Sequence, residues 1–176
     1  LPDALRVFDE DRGEIMLSQA LDHPNRVFQL IHVAGLVEQR DLLDGLLDRS
    51  GISDPQGAAR CRVELANYFA AAVLMPYHTF LDEARASKYD MDHIATRFGV
   101  SFEQACHRAT TLQRDGAQGV PFFFLRIDKA GNVTKRFNST NFHLAERGGA
   151  CPRLDVHTSF RTPGRIVPQF VEMPDR

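Results

Sequence analysis

Short apolar runs at residues 5–8 and 15–17 flank a polar segment, Asp9 to Glu14, that contains Gly13. This arrangement predicts a β-hairpin at the start of the chain. Asp22 is placed to cap a helix with Pro24 in its first turn, and Val27, Leu30, Ile31 and Ala34 follow at helical spacing. Leu42, Leu43, Leu46 and Leu47 continue that period, so the same helix is expected to run on until Ser50-Gly51 stops it. Ser53 is then expected to cap a second helix with Pro55 in its first turn. Val63, Ala66, Tyr68, Phe69, Ala70, Val73 and Leu74 fill that helix so completely that it should be central, and Pro76 closes it. A short helix is expected around Phe80, Leu81 and Ala84. Residues 91–98, the turn Gly99-Val100 and residues 101–114 then read as helix, tight turn and helix, with Ser101 and Gln104 in capping-box positions.

Beyond Gly116 the period changes. Residues 120–127 and 133–137 read as strands on either side of Asp128-Lys129-Ala130-Gly131-Asn132, a second hairpin signal. Gly148-Gly149, Pro152, Pro163-Gly164, Pro168 and Pro174 break the remainder into short apolar pieces, expected to form irregular sheet and long loops. The expected fold class is therefore α+β. A helical half with an N-terminal hairpin covers 1–116, and a small β-rich, loop-rich half covers 117–176.

With 43% hydrophobic and 25% charged residues over 176 positions, the chain is globular rather than disordered. Chains near 150 residues bury roughly 68–70% of their unfolded surface, enough for a core without disulfide or metal staples. No stretch approaches the ~18 apolar residues of a membrane span, and the first residues lack the basic and apolar regions of a secretory signal. Cys61, Cys106 and Cys151 show no CxxC spacing, which signals neither a disulfide framework nor a self-contained zinc site. A soluble, cytoplasmic protein is expected. The start without Met and the uncapped end at Arg176 suggest a piece of something longer. The net charge of −2 is unevenly placed: from Arg126 to Arg165 eight bases stand against three acids. Such a segment suits an anionic partner, or a solvated basic face.

Three constellations could carry chemistry. A zinc-peptidase helix needs His at i and i+4 and Glu at i+1, so that two imidazoles and a general base meet one metal. In Arg26 to Leu36, His32 is followed by Val33 and Leu36 instead, which favours a core histidine over a ligand. The helix pair at 91–114 has the spacing of a DNA-reading helix-turn-helix. Its second helix offers Glu103, Gln104, His107, Arg108 and Arg114, a weak basic set for a polyanion, and Asp90 and Asp92 oppose it further. The hairpin at 122–137 interleaves aromatic and basic residues.

The His32 helix, followed downstream by Glu64-Leu65-Ala66-Asn67-Tyr68-Phe69-Ala70-Ala71-Ala72-Val73-Leu74-Met75-Pro76, resembles the ImmA/IrrE type of metallopeptidase fold, in which an HExxH helix precedes an ANxFAxxLLMP helix. The second motif is kept and the first is lost, which implies a degenerate, non-enzymatic scaffold. A zinc metallopeptidase with an unusual ligand set, in which Glu64 would mimic the third ligand, and a DNA-binding module built on residues 91–114 are the alternatives. Four segments in order, 67–77 (NYFAAAVLMPY), 89–108 (YDMDHIATRFGVSFEQACHR), 119–136 (GVPFFFLRIDKAGNVTKR) and 148–157 (GGACPRLDVH), resemble the short-chain fatty acyl transcriptional regulators of actinobacteria.

That resemblance implies an effector domain that binds coenzyme A or a short-chain acyl-CoA, propionyl-CoA foremost. It implies control of short-chain fatty acid catabolism, including propionate and methylcitrate-cycle genes. It further implies a homo-oligomer, DNA contact through a helix-turn-helix domain outside this chain, and a 4Fe-4S iron-sulfur cluster. Most of the cluster cysteines would lie in a Cys-rich motif beyond Arg176; Cys151 matches the remaining one, with Leu154 where the family usually has Trp. Coenzyme A needs bases for its phosphates, a plane for stacking and an apolar channel. Arg126, Lys135 and Arg136 are the candidate phosphate partners, Phe123 the stacking residue, and Tyr68 and Tyr77 the channel lining. Strand alternation puts Phe122, Phe124 and Arg126 on one face and Phe123, Leu125 and Ile127 on the other.

Overall fold

A computed structural model of the protein describes residues 4–138, 140 and 156–170. The chain forms two compact units, Leu1–Gly119 and Val120–Arg176. The first opens with a two-stranded antiparallel hairpin, β1 (Arg6–Asp9) and β2 (Glu14–Leu17), in which Arg6 pairs with Leu17 and Asp9 with Glu14. Gly13 takes the left-handed conformation (φ 64°) that the turn requires.

Six helices follow: α1 (His23–Glu38), α2 (Arg40–Ser50), α3 (Pro55–Leu74), α4 (Tyr77–Ala86), α5 (Met91–Phe98) and α6 (Phe102–Thr110). The Asp22 carboxylate accepts from the Asn25 N–H at 3.0 Å, capping α1 as the sequence predicts. The single long helix expected from residue 22 to 50 is instead two helices that meet at Gln39, whose backbone (φ −105°, ψ 21°) leaves the helical region. The cap of α3 is Asp54 rather than Ser53. Pro55 occupies the first helical position, which makes the residue just before it the cap, and Asp54 accepts from the Gly57 N–H at 2.6 Å.

The helix α3 packs against both α1 and α2. Its buried stripe is Ala66, Ala70 and Ala71, while Val63, Tyr68 and Val73 are exposed, so it is less fully covered than its composition suggests. Small side chains on this stripe let α1 approach closely. A Cβ on Gly35 of α1 would lie 2.6 Å from Phe69 Cδ1, too close for the two to coexist without movement. Gly35→Ala is therefore expected to destabilise the unit by about 1 kcal/mol, with overpacking of ~1–3 kcal/mol offset by a gain of up to ~1 kcal/mol in helix propensity. Urea unfolding checks this, and a stabilised variant would mean that Phe69 swings aside without loss.

The remaining core gathers around Met75, Phe80, Leu81, Ile94 and Leu112, all 2% exposed or less. Gly99 (φ 65°) turns α5 into α6, and the capping box is complete: Ser101 Oγ accepts from the Gln104 N–H, and Gln104 Oε1 accepts from the Ser101 N–H. The helix α6 ends at Thr110 rather than Arg114. The hydroxyls of Thr110 and Thr111 donate to the carbonyls of His107 and Arg108, and the chain then turns until the Gly119 N–H reaches the Leu112 carbonyl.

The second unit contains the antiparallel pair β3 (Phe123–Ile127) and β4 (Val133–Asn138) and the short helix α7 (Val156–Arg161). The strand expected from Val120 begins three residues later. The helix α7 stands in a stretch expected to be irregular sheet and loop; six residues are too few to show a helical period. No described helix is long and apolar enough to cross a membrane.

Candidate functional sites

On α1, His32 is fully buried, and neither ring nitrogen has a hydrogen-bond partner among the described residues. Burial, and after it the nearby Arg6 charge, lowers its pKa from 6.5 to about 4, so the imidazole is neutral at pH 7. Arg6 reaches over from β1 to donate to the Gln29 side chain, one helical turn before His32. The positions where a zinc helix would carry its base and second imidazole hold Val33 and Leu36. No group of three His, Cys, Asp or Glu among the described residues could hold a metal ion. The Arg6 guanidinium adds a positive charge where a divalent cation would need none.

A second constellation lies at the junction of α3, α4 and α6. Arg108 is 1% exposed. Its Nε donates to the Met75 carbonyl at 3.0 Å and its Nη1 to Thr111 Oγ1 at 3.2 Å. Its Cζ lies 5.4 Å from the Tyr68 ring centroid and 5.8 Å from that of Tyr77, within cation–π range of both. Burial lowers its pKa, and a hydrogen bond with Tyr68 acts in the opposite direction. Arg114 covers the Tyr77 ring at 4.3 Å. The Tyr77 hydroxyl donates to the Ala117 carbonyl and accepts from the Arg114 N–H, both at 2.9 Å, so Tyr77 ties the 114–117 turn to α4. Of the two tyrosines nominated as channel lining, Tyr77 is therefore buried and fully engaged, while Tyr68 keeps a half-exposed ring.

Arg108 escaped the sequence reading, which grouped it with the exposed bases of a DNA-reading helix. The signal was present: Ala105, Arg108, Ala109 and Leu112 share the i, i+3, i+4, i+7 spacing of a buried stripe. Gln104 leaves that surface set too, since its amide completes the capping box and also donates to Asn25 Oδ1 at 3.2 Å. What remains on α6 is Glu103 with His107, a poor match to a phosphate backbone.

The third constellation is the β3–β4 hairpin. Phe124 pairs with Phe137 and Arg126 with Lys135, whereas Phe123 pairs with Asn138 and Leu125 with Arg136. Paired side chains share a face, so the nominated residues divide. Arg126 and Lys135 stand on one face with the Phe124 and Phe137 rings, 6.3 Å apart, and Arg136 and Phe123 stand on the other. A bulge after Arg126 leaves Thr134 as the extra residue. Its hydroxyl accepts from Arg126 Nε at 2.9 Å and donates to the Arg126 carbonyl at 3.1 Å, which fixes the guanidinium along the strand. The loop beyond is set by Asp128, whose carboxylate accepts from the Asn132 side chain and from the N–H groups of Ala130 and Asn132, all at 2.9 Å. Those bonds, the Asn132 side chain first, hold its pKa below the usual carboxylate value.

The described cysteines do not fit an iron-sulfur site. Cys61 and Cys106 are free thiols on separate helices, α3 and α6. Burial, then the charges of Asp92 and Glu103, push the Cys106 thiol up to about 11, far from the thiolate a cluster needs. Cys151 lies outside the described residues.

The fold and these sites define a metallopeptidase-like helical scaffold without its metal ligands, followed by a β-containing unit that presents a basic and aromatic hairpin. Residues 2–110 match the family model of the IrrE N-terminal-like domain, and residues 111–176 match that of the short-chain fatty acyl coenzyme A regulator, C-terminal. The chain belongs to the IrrE N-terminal-like domain family through its helical part, and its remaining residues match the C-terminal model of the short-chain fatty acyl coenzyme A regulators. It is 42% identical over 175 residues, 99% of its length, to the propionyl-CoA carboxylase regulator of Cereibacter sphaeroides, of which it covers 38%. It is likewise 42% identical over 176 residues to the HTH-type transcriptional regulator PrpR of Mycobacterium tuberculosis, covering 36% of that protein. The HTH-type regulator RamB of the same organism is 37% identical over 171 residues, 97% of this chain and 36% of RamB. A solved structure of a Mycobacterium tuberculosis transcriptional regulator superimposes with a TM-score of 0.88 at 42% identity, over 95% of this chain and 51% of that one. The chain thus spans under two fifths of the length of these curated relatives.

Proposed function

We propose that this chain is the non-catalytic effector-sensing part of a transcriptional regulator, and that its effector is coenzyme A or a short-chain acyl-CoA, propionyl-CoA foremost. The observation that carries this reading is the face of the β3–β4 hairpin on which Arg126 and Lys135 stand beside the Phe124 and Phe137 rings. Two cations suit the phosphates of coenzyme A, and the adjoining aromatic surface suits its apolar portions. The names of the relatives, regulators associated with propionyl-CoA carboxylase or carrying helix-turn-helix DNA-binding parts, support the same reading. A ligand acts on such a regulator only by binding one arrangement of it better than another. In the whole protein that arrangement is a homo-oligomer whose geometry sets the DNA-binding parts. The iron-sulfur cluster rests on Cys151 alone and enters no step of the reading.

Calorimetric titration of coenzyme A and propionyl-CoA tests it. Arg126→Ala and Lys135→Ala are each expected to weaken binding by roughly tenfold, the loss of about one charge-assisted contact. Arg136→Ala, on the opposite face, is expected to leave affinity within about twofold, the scale of a small screened electrostatic effect. Unchanged affinity in both Arg126→Ala and Lys135→Ala would overturn the site, and absence of binding would overturn the reading.

A further inference from the structure

The two cations on one face of the β3–β4 hairpin differ in what they ask of the fold. A lysine ammonium such as that of Lys135 is a point charge on a flexible stem and meets a phosphate from many directions. A guanidinium is planar, and its grip on a phosphate depends on which pair of N–H groups it turns toward the oxygens. An arginine on an exposed strand ordinarily samples many rotamers and gives up that freedom when it holds a ligand. Arg126 is exposed, but its Nε donates to Thr134 Oγ1 at 2.9 Å. The Thr134 hydroxyl donates in turn to the Arg126 carbonyl at 3.1 Å, so one hydroxyl ties the guanidinium to its own backbone.

The β-bulge is what brings Thr134 there. In an unbroken ladder Thr134 would stand opposite Ile127, on the face away from Arg126. The observed register pairs Arg126 with Lys135 and Ile127 with Val133, and the residue left over between them is turned back to Arg126. With Nε engaged, a phosphate is gripped through the terminal nitrogens, Nη1 and Nη2. We infer that Thr134 is a positioning residue that directs this end of the Arg126 guanidinium to a phosphate of the ligand. The inference deepens the proposed function and rests on it, because it concerns one phosphate contact of coenzyme A. Nothing in its chemistry requires Thr134 to touch the ligand.

Thr134→Val keeps the shape and the strand preference of threonine and removes the hydroxyl. In calorimetric titration with coenzyme A it is expected to bind roughly three- to tenfold more weakly than the wild type, the cost of ordering one long side chain on binding. Thr134→Ser restores the hydroxyl, and its affinity should return to within about twofold, the scale of a neutral surface substitution. In an Arg126→Ala background Thr134→Val should change nothing further, whereas a residue that merely held the hairpin together would weaken binding in both backgrounds. The Arg126 Nε–H resonance, identified by its absence in Arg126→Ala, should exchange slowly with solvent in the free wild type and in Thr134→Ser, and fast in Thr134→Val. Wild-type affinity in Thr134→Val while Arg126→Ala weakens binding overturns the positioning role and leaves the coenzyme A reading standing. An equal loss in both backgrounds, or equally fast Nε–H exchange in all three proteins, does the same. No binding to the wild-type chain overturns both.

Discussion

Replacing Arg108 by alanine is expected to cost the helical unit about 4 kcal/mol of stability. Truncating a large, fully buried side chain ordinarily costs ~2–5 kcal/mol through lost contacts and the cavity left behind. Here the deletion also strands the buried Met75 carbonyl, which accepts from Arg108 Nε, at ~1–3 kcal/mol for an unmet buried acceptor. It further removes the cation between Tyr68 and Tyr77. Arg108→Met keeps most of the volume and isolates the polar part, with an expected loss of about 2 kcal/mol. Urea denaturation followed by circular dichroism measures both. A loss below about 1 kcal/mol for Arg108→Ala, the size of an ordinary surface effect, would mean that the guanidinium does not hold this junction together.

Why Arg108 was read as a surface base also shows where the sequence stops being informative. Elements marked by backbone chemistry were legible: the hairpins with Gly13 and Gly131 at positive φ, the Asp22 cap, the Ser101–Gln104 capping box and the Gly99 turn all depend on residues whose local preferences are strong. The break at Gln39 was not legible. Gly35, Gln39, Leu43 and Leu47 keep a four-residue period through it, and neither Gly nor Pro marks the interruption. Periodicity shows which side chains share a face, not whether the helix beneath them is continuous. The Ser53 cap was misread for a related reason: two capping residues adjoin, and the position of Pro55 decides between them.

The candidate site divides along the same line. Residue types in the hairpin predicted a basic and aromatic surface. Its partition into one face with Arg126, Lys135, Phe124 and Phe137 and another with Arg136 and Phe123 depends on strand register, which only the paired structure supplies. The Thr134 bulge that aims Arg126 carries no sequence mark, because threonine is unremarkable in a strand. Tyr68 and Tyr77 are equivalent in the sequence as aromatic candidates for an apolar channel, yet one closes a loop and the other keeps a half-exposed ring. That difference arises from Ala117 and Arg114, some forty residues downstream of Tyr77.

His32 should make the helical unit acid-sensitive in a defined window. In the unfolded chain its imidazole takes up a proton near the ordinary value of 6.5, whereas in the fold burial, and then Arg6, hold its pKa at about 4. A proton that binds the unfolded form first drains stability as pH falls. The contribution is intact above pH 6.5 and is lost progressively between about 6.5 and 4, at up to ~1.4 kcal/mol per pH unit, or about 3 kcal/mol in all. His32→Leu has no such group, so its stability relative to the wild type is expected to rise across that window, carboxylate effects being common to both proteins. At pH 7 the variant should be at least as stable as the wild type, because it removes two buried ring nitrogens that have no hydrogen-bond partner among the described residues. Urea unfolding of both proteins at pH 7.5, 6 and 5 measures the difference, and a difference that is constant with pH would show that His32 is not held neutral. Arg6→Gln should recover part of the lost stability at pH 5, since it removes the charge that opposes protonation while burial remains.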